Sequence, residues 1–269
     1  MPISAFSQAC VVVAHPDDEI LWASSIARTV EEIICCYEDV PEKPGRGEAR
    51  RRVLAEYPLS TVRSLGLTEV GTFNTTRWDQ PEETEHGVAV GEREPAYRAN
   101  YTSLVRLLSE QLRGRPVVVT HNPWGEYGHE DHVQVFRALA RLQREMGFSL
   151  WVFGYVGKKS KRLMERQIGE AKAVTAVIPT DRTLAYQVRD LYIRHGCWTW
   201  SKDYKWPDGE RFLLMAGDAG TVPVAKMAPR EALISTHALP PMRKRAVNWV
   251  RRRIGGILFR VGYRNRGRW

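Results

Sequence analysis

The sequence has few cysteines and no long apolar run. Its four cysteines include no C-x-x-C pair, and three of them lie in apolar runs, where a free thiol behaves as a small hydrophobic side chain. No stretch approaches the roughly 18 apolar residues that a membrane-spanning helix needs. The first residues lack the basic and apolar segments of a signal peptide. These absences predict a cytoplasmic protein with reduced thiols and no disulfide framework.

Acidic residues are missing from one end of the chain. The segment 243–269 contains ten lysines and arginines and no acidic residue. The whole chain has a formal net charge of +9, but the rest of the chain without this segment contains 30 basic and 31 acidic residues. The basicity therefore belongs to a tail, and the body of the protein is close to neutral.

From residue 240 onward, apolar residues recur at helical spacing among the arginines. This pattern is typical of an amphipathic helix that binds an anionic membrane surface. The alternative is a helix packed on the domain with its basic face in solvent. We predict a peripheral position at the inner face of the membrane. No nucleic-acid partner is expected, because the basic residues cluster in one terminal helix and no nucleic-acid-binding module is recognisable.

Short β-rich runs alternate with longer helical patterns over residues 1–239. Continuous apolar runs predict buried strands at Cys10–Ala14 and Pro116–Thr120, and shorter runs predict strands at 33–37, 70–73 and 150–155. Helices are predicted over 18–30, 47–65 (interrupted by Pro58), 96–114, 131–147, 161–176 and 182–194, with a loop over 75–95. This alternation predicts one α/β domain, a Rossmann-like three-layer αβα fold with a mostly parallel sheet. The active site is then expected at the carboxyl ends of the strands.

The first polar cluster follows the first strand directly. It consists of His15, Asp17, Asp18 and Glu19. A histidine nitrogen and a carboxylate three residues later can both bind zinc, and the other carboxylate is then free to act on water. The alternative is a pair of helix-capping acids with Glu19 favouring the helix dipole. Capping accounts for one or two carboxylates, but not for a histidine and three acids within five residues.

The second cluster follows the strand at 116–120. Its loop carries His121, Glu126 and Tyr127, and the next helix begins with His129, Glu130, Asp131 and His132. Residues 129 and 132 lie three apart at a helix start, so both can face the same side. Three histidines within twelve residues predict that one of them shares a metal with His15 and Asp18. Two histidines and one aspartate make the three-ligand set of an open catalytic zinc site.

Two motifs resemble those of a known family. AHPDDE at Ala14–Glu19 and HEDH at His129–His132 are similar to the motifs of the PIG-L/LmbE-like zinc-dependent N-acetylglucosaminyl deacetylases, and their order and strand contexts agree over roughly residues 9–155. The resemblance implies zinc ligands at His15, Asp18 and His132. It implies a general base at Asp17, an oxyanion-stabilising or amine-protonating role for His129, and a histidine-orienting role for Asp131.

Several further residues are candidates for substrate contacts. The loop between the strand predicted at 116–120 and His129 contributes His121, Asn122, Trp124, Glu126 and Tyr127. Its aromatic rings are suited to stacking on a sugar or, equally, to packing the loop, and His121 either points into the crevice or bonds to backbone. The aromatic cluster at 198–206 either lines a substrate cleft or covers a core edge. The family's R-x-x-E helix is displaced here, so Arg50–Arg52 receive no role.

The leading hypothesis is hydrolysis of the N-acetyl group of an N-acetylglucosamine-type sugar conjugate that is linked to a nucleotide, lipid or glycoside. The cofactor is Zn2+, and the same donor set also suits Fe2+. An alternative is a metal-dependent hydratase or lyase on the same scaffold, which would need cationic side chains in the crevice to hold carboxylates. A binding protein with a vestigial site is disfavoured, because the full residue set is present.

Overall fold

A computed structural model describes residues 6–236. The main sheet has seven strands, and six helices flank it. In chain order the strands are β1 Ala9–Val13, β2 Glu32–Asp39, β3 Val62–Thr68, β4 Val117–Thr120, β5 Ser149–Phe153, β6 Ala173–Val174 and β7 Phe212–Ala216. The helices are α1 Asp18–Trp22, α2 Pro44–Ala55, α3 Glu94–Gln111, α4 Glu130–Met146, α5 Lys161–Gln167 and α6 Arg182–Arg194.

The strand order is β3-β2-β1-β4-β5-β7-β6. The first five strands in this order are parallel, and β7 pairs antiparallel with both β5 and β6. At the centre, Val11 lies opposite Ile33 on one side and Val119 on the other. The mostly parallel α/β sheet predicted from the sequence is confirmed.

Helices cover both faces of the sheet. Every residue of β1 is buried, and successive side chains point to opposite faces. Val11 belongs to the core formed with α1, α2 and α6, whereas Val12 belongs to the core formed with α3, α4 and α5. The three-layer αβα arrangement is therefore also confirmed.

Three predicted elements differ from the structure, and one further strand was not predicted. The helix predicted over 47–65 ends at Ala55, before Pro58, which disfavours helical backbone at the residue preceding it. Residues 62–68 form β3, whereas 70–73 form no strand. The helix predicted over 161–176 ends at Gln167, its last residues forming β6. Strand β7 was not predicted.

The helix predicted over 18–30 also ends early, at Trp22. The next residues form hydrogen bonds to a buried carboxylate, that of Glu210, and are not helical. Its oxygens accept hydrogen bonds from the Ser24 hydroxyl and from both the amide and the hydroxyl of Ser25, at 2.6–3.0 Å. A serine side chain readily exchanges helical backbone for such a bond.

Residues 75–95 are a loop, as predicted, apart from one small hairpin and a turn of 3-10 helix. The hairpin pairs Glu83–Thr84 with Gly87–Val88, and the turn spans Gly91–Arg93. Within residues 6–236, no helix combines the length and apolarity needed to cross a membrane. The basic tail, with its predicted membrane-surface helix, lies outside the described residues.

Candidate metal centre

The two polar clusters meet at the carboxyl edge of the sheet because β1 and β4 are neighbouring parallel strands. His15 comes two residues after the end of β1, and His121 directly follows β4. Asp17 precedes α1 with a φ of 110°, in the left-handed region. A non-glycine residue held there costs about 1–3 kcal/mol, so other contacts must fix this conformation. One of them is the Asp17 amide, which donates to Glu19 Oε2 at 2.8 Å.

The three predicted metal ligands lie side by side. Oδ2 of Asp18 is 3.1 Å from Nδ1 of His15 and 3.2 Å from Nε2 of His132. The other carboxylate oxygen, Oδ1, accepts a hydrogen bond from Nε1 of Trp22 at 2.9 Å, which fixes the carboxylate plane. Three potential donor atoms therefore converge in a space that the protein nearly encloses.

One of these donor atoms has no protein partner. Nε2 of His132 is buried and makes no hydrogen bond to any described residue, even though Oδ2 of Asp18 is close to it. Nδ1 of the same ring lies 2.6 Å from Oε2 of Glu126, which places the ring proton on Nδ1. In its neutral form, His132 therefore has a lone pair on Nε2 that faces a carboxylate oxygen, and the two atoms can bind a divalent cation. The mixed nitrogen and oxygen ligand set suits zinc or iron(II).

Two other groups of side chains share these atoms. His15, His129 and His132 form one group and Asp18, His121 and His132 another, each with ligand atoms within 4.8 Å of one another. His121 is a poor ligand, because its Nε2 already accepts the amide hydrogen of Ala14 at 2.8 Å. The single lone pair of this imidazole nitrogen is then not free to bind a metal.

His15 has a second set of partners on its outer side. Its Nε2 lies 3.1 Å from Oδ2 of Asp131 and 3.7 Å from Oε1 of Glu69. Burial alone would lower the pKa of His15, but Glu69, Asp131 and Asp18 raise that pKa to about 10. Thr72 donates to Asp131 at 2.7 Å and holds it in place. The histidine that Asp131 contacts through its side chain is therefore His15, from the other motif.

Two adjacent aspartates have opposite pKa shifts. Burial and the charge of Asp18 raise the pKa of Asp17 to about 7, while a hydrogen bond from Thr199 opposes the shift. Burial would also raise the pKa of Asp18, but His132, His15 and His121 hold it well below the ordinary value. Asp18 is therefore a permanent anion, whereas Asp17 can exchange a proton near neutral pH.

His129 is a neutral imidazole that accepts a backbone hydrogen bond. Its Nδ1 accepts the backbone amide of Asp131 at 3.2 Å, where α4 begins. Burial and the positive charges of His132 and His15 hold its pKa well below the ordinary value. The remaining hydrogen is then on Nε2, the nitrogen that does not accept the amide. Of the two roles implied by the resemblance, oxyanion stabilisation therefore suits this neutral ring better than protonation of the amine.

Four of the five predicted substrate contacts are fully buried, and their polar atoms form hydrogen bonds with other groups of the protein. They are His121, Asn122, Trp124 and Glu126. The fifth, Tyr127, is partly exposed, and its ring lies edge-on to those of His132 and Trp200 at 5.5 and 5.2 Å. Direct contact with substrate is therefore retained as a prediction for Tyr127 alone.

The site has two parts, which we call the floor and the mouth. The floor consists of His15, Asp17, Asp18, His129 and His132, none of which is more than 8% exposed. The mouth consists of Phe73, Tyr127, Thr199 and Trp200. Phe73 is 43% exposed and stacks on His129 at 4.8 Å, and Thr199 donates to Asp17 Oδ2 at 2.5 Å.

A cavity of about 590 Å3 adjoins the mouth at Trp200. Two indole rings contribute to its walls together with a hydroxyl, an ammonium and a carboxylate group. The lining residues are Ile193, Gly196, Trp198, Trp200, Ser201, Lys202 and Asp203. The aromatic cluster at 198–206 therefore does more than cover the core, because part of it lines this cavity.

Sequence reasoning missed two residues of the site. Thr199 had no signal beyond its place between two tryptophans. Glu69 follows β3 directly. The strand-end rule, by which polar residues just after a parallel strand are expected in the active site, led to His15 and would have led to Glu69 too. The third strand was predicted at 70–73, and this error hid Glu69.

No protein-family model and no curated protein matches the sequence. Among solved structures, similarity is found to a deacetylase–teicoplanin complex, with 12% identity, a TM-score of 0.46 and coverage of 81% of this chain and 99% of that one. The zinc-inhibited form of teicoplanin deacetylase Orf2 has 12% identity and a TM-score of 0.46, and the A40926 pseudoaglycone deacetylase Dbv21 has 12% and 0.43. In both cases the match covers 79% of this chain and 99% of the other. Similarity at this level carries no argument about chemistry.

Proposed function

We propose that this protein is a zinc-dependent N-deacetylase that removes the acetyl group from an N-acetylglucosamine-type sugar conjugate. The observation that carries the proposal is the floor. It places a buried histidine nitrogen without a partner and a permanently charged aspartate beside a second aspartate whose pKa is about 7. The PIG-L/LmbE-like motifs at 14–19 and 129–132 support the same chemistry.

Three side chains would hold the metal: His15, Asp18 and His132. When bound, zinc lowers the pKa of a water molecule to about 7 and polarises a carbonyl group. This is the help that amide hydrolysis needs, because an amide is a poor electrophile. A ligand set of three protein groups leaves room for a further ligand.

Asp17 is the proposed general base. Its pKa of about 7 allows the carboxylate to take a proton from the attacking water and to return it to the departing amine nitrogen. The hydroxyl of Thr199 donates to Oδ2 at 2.5 Å and fixes the carboxylate orientation. The left-handed backbone at Asp17 sets the direction of its side chain.

His129 is the proposed stabiliser of negative charge on the carbonyl oxygen. As a neutral imidazole with hydrogen on Nε2, it can donate to that oxygen as the charge develops. Removing one such donor typically costs about 3–4 kcal/mol of transition-state stabilisation. The amide of Asp131 and the ring of Phe73 hold the imidazole in place.

The shape of the site favours a small acyl group on a bulky carrier. The side chains of the floor are at most 8% exposed, which favours a small acyl group such as acetyl. The mouth and the adjoining cavity offer the rings of Tyr127, Trp198 and Trp200 for the apolar faces of a sugar, and Ser201 and Asp203 for its hydroxyls.

The hydratase or lyase alternative receives less support. It needs free cations to hold carboxylate groups. Two cations close to the floor are already bound, which leaves, within the described residues, Arg46, a partly buried cation near Asp17. Arg50 donates to Glu69 at 2.7 Å and to the carbonyl of Glu38, and Lys159 donates to Asn74 and Gly128.

The decisive experiment measures acetate release from a panel of N-acetylhexosamine conjugates by protein reconstituted with zinc or with iron(II). Release from at least one conjugate is expected, and the Asp17→Asn variant should be inactive with the same metal content. No release from any conjugate at full metal occupancy would contradict the proposal.

A further inference from the structure

Two stacked histidines compete for the same place in the metal centre. The rings of His121 and His132 lie 3.8 Å apart, with 25° between their planes. Their Nε2 atoms are 3.6 and 3.2 Å from Oδ2 of Asp18. Their Nδ1 atoms are 2.9 and 2.6 Å from a single oxygen, Oε2 of Glu126. Distances alone do not decide which histidine is the ligand.

Hydrogen bonding distinguishes the two rings. The carboxylate of Glu126 can only accept, so both Nδ1 atoms carry hydrogen, and in the neutral ring that a metal requires each Nε2 atom has a lone pair. The lone pair of His121 is occupied by the amide hydrogen of Ala14 at 2.8 Å. The lone pair of His132 has no hydrogen-bond partner among the described residues. Only His132 can therefore give its Nε2 to a cation.

We propose that Glu126 is a positioning residue that orients His132 as the metal ligand and holds His121 against the amide of Ala14, outside the ligand set. One carboxylate oxygen fixes the tautomer of both rings. The ring of His132 then faces Asp18, while that of His121 secures the backbone just before His15. This inference rests on the metal centre of the proposed function and assigns a role to two residues outside its ligand set.

Glu126 is itself held rigidly. Its amide donates to Oδ1 of Asn122 at 2.9 Å, and its Oε1 accepts the amide of Asn122 at 2.8 Å. The side-chain nitrogen of Asn122 donates to the carbonyls of Phe153, the last residue of β5, and Tyr155. The carboxylate that orients the two histidines is thus anchored to the sheet. Glu126 cannot change its orientation without breaking several buried hydrogen bonds.

The first test is the zinc dissociation constant of wild type, Glu126→Gln and Glu126→Ala, measured by competition with a chelator. Loss of a group that orients a metal-bound histidine typically weakens binding about 10- to 100-fold. We expect the alanine variant in this range and the glutamine variant near its lower end, because a carboxamide oxygen is a weaker acceptor. Unchanged affinity in both variants would overturn the proposal.

Glu210→Gln is the matched control. Glu210 is also fully buried and accepts several hydrogen bonds, but from Ser24, Ser25 and Tyr155. This variant should lower the temperature of unfolding and leave zinc affinity unchanged. A loss of affinity as large as that of Glu126→Gln would mean that any buried carboxylate has the same effect, and would overturn a specific role for Glu126.

The second test distinguishes the two histidines. Glutamine at position 121 can still donate to Glu126 and accept from Ala14, so His121→Gln should keep zinc affinity within about threefold of wild type. His132→Gln should lose more than the roughly 100-fold upper limit for an orienting group. Equal losses would show that His121 is a ligand and would overturn the proposal.

A spectroscopic signature supports the affinity data. In the zinc-loaded protein labelled with 15N-histidine, His121 and His132 should both show hydrogen on Nδ1, and only His132 should show a metal-bound Nε2. A metal-bound nitrogen on His121 would overturn the proposal. These measurements use no substrate, so a protein that binds zinc as expected but releases no acetate contradicts the proposed function and leaves the role of Glu126 standing.

Discussion

The floor and the mouth of the site are built in different ways. The floor comes from two short motifs on neighbouring strands, is buried, and has most of its polar atoms hydrogen-bonded within the protein. The mouth is assembled from three segments that are distant in sequence, at Phe73, Tyr127 and 199–200. The rings of Phe73 and Tyr127 are partly open to solvent, whereas that of Trp200 is buried. We expect the floor to determine whether the reaction occurs and the mouth to determine which substrate is used.

The largest expected effect is in the floor. Asp17→Asn removes the proposed base while keeping its shape, so kcat should fall by about 10²- to 10⁴-fold. Zinc content should stay at the wild-type level, because Asp17 is not a proposed ligand. Metal analysis alongside acetate release measures both. Asp208→Asn, at an exposed aspartate, is the control and should behave as wild type. A nearly normal rate for Asp17→Asn would remove Asp17 from the mechanism.

The pH dependence comes from the same residue. A general base works only as the carboxylate, and the pKa of Asp17 is about 7. Since a bound cation attracts the carboxylate form and lowers this pKa, the acid limb of kcat/KM should lie at or below pH 7. Activity should fall about tenfold for each pH unit below that limb. A rate that rises as the pH falls below 7 would contradict this assignment.

A change in the cavity next to the mouth should act on binding alone. Trp198→Ala removes an indole ring from the lining, and an aromatic contact is worth about 0.5–1.5 kcal/mol beyond the area it buries. KM for a sugar conjugate should rise by up to about tenfold with kcat unchanged. Tyr186→Ala, at an exposed ring outside the cavity, should change neither. A fall in kcat at constant KM would place Trp198 with the floor.

The smallest expected effect is at the single hydrogen bond between mouth and floor. Thr199→Val removes a donor that lowers the pKa of Asp17. That pKa should therefore rise, and the acid limb should move to higher pH by less than about one unit. The rate on the alkaline side should change little, and Thr199→Ser should restore the wild-type profile. A shift to lower pH would contradict this reading of the contact.

The sequence was most informative about the centre of the sheet. The apolar runs before His15 and His121 predicted two central strands, and the strand-end rule then placed the polar clusters in one crevice. Edge elements were harder to predict, because their patterns are short and their structure depends on distant partners. Strand β7, for example, pairs with β5 across about sixty residues of sequence.

The roles of single residues needed three-dimensional information. The sequence places His121, His129 and His132 in one stretch, and only the resemblance to the PIG-L/LmbE-like motifs favoured His132 as the ligand. In the structure, the preference depends on a backbone amide at Ala14, more than a hundred residues away. A polar side chain in a loop can contact substrate or support the loop, and the sequence does not distinguish the two. Asn122, which was predicted to touch substrate, is buried and supports the loop.

The left-handed backbone at Asp17 has a consequence for protein engineering. Glycine adopts this conformation without strain, so a screen for thermal stability alone would tend to favour Asp17→Gly. Such a variant would keep the fold and lose the proposed base. Aspartate at this position makes the chain less stable than glycine would and provides the proposed base in return. Libraries built to stabilise this protein should therefore hold position 17 fixed.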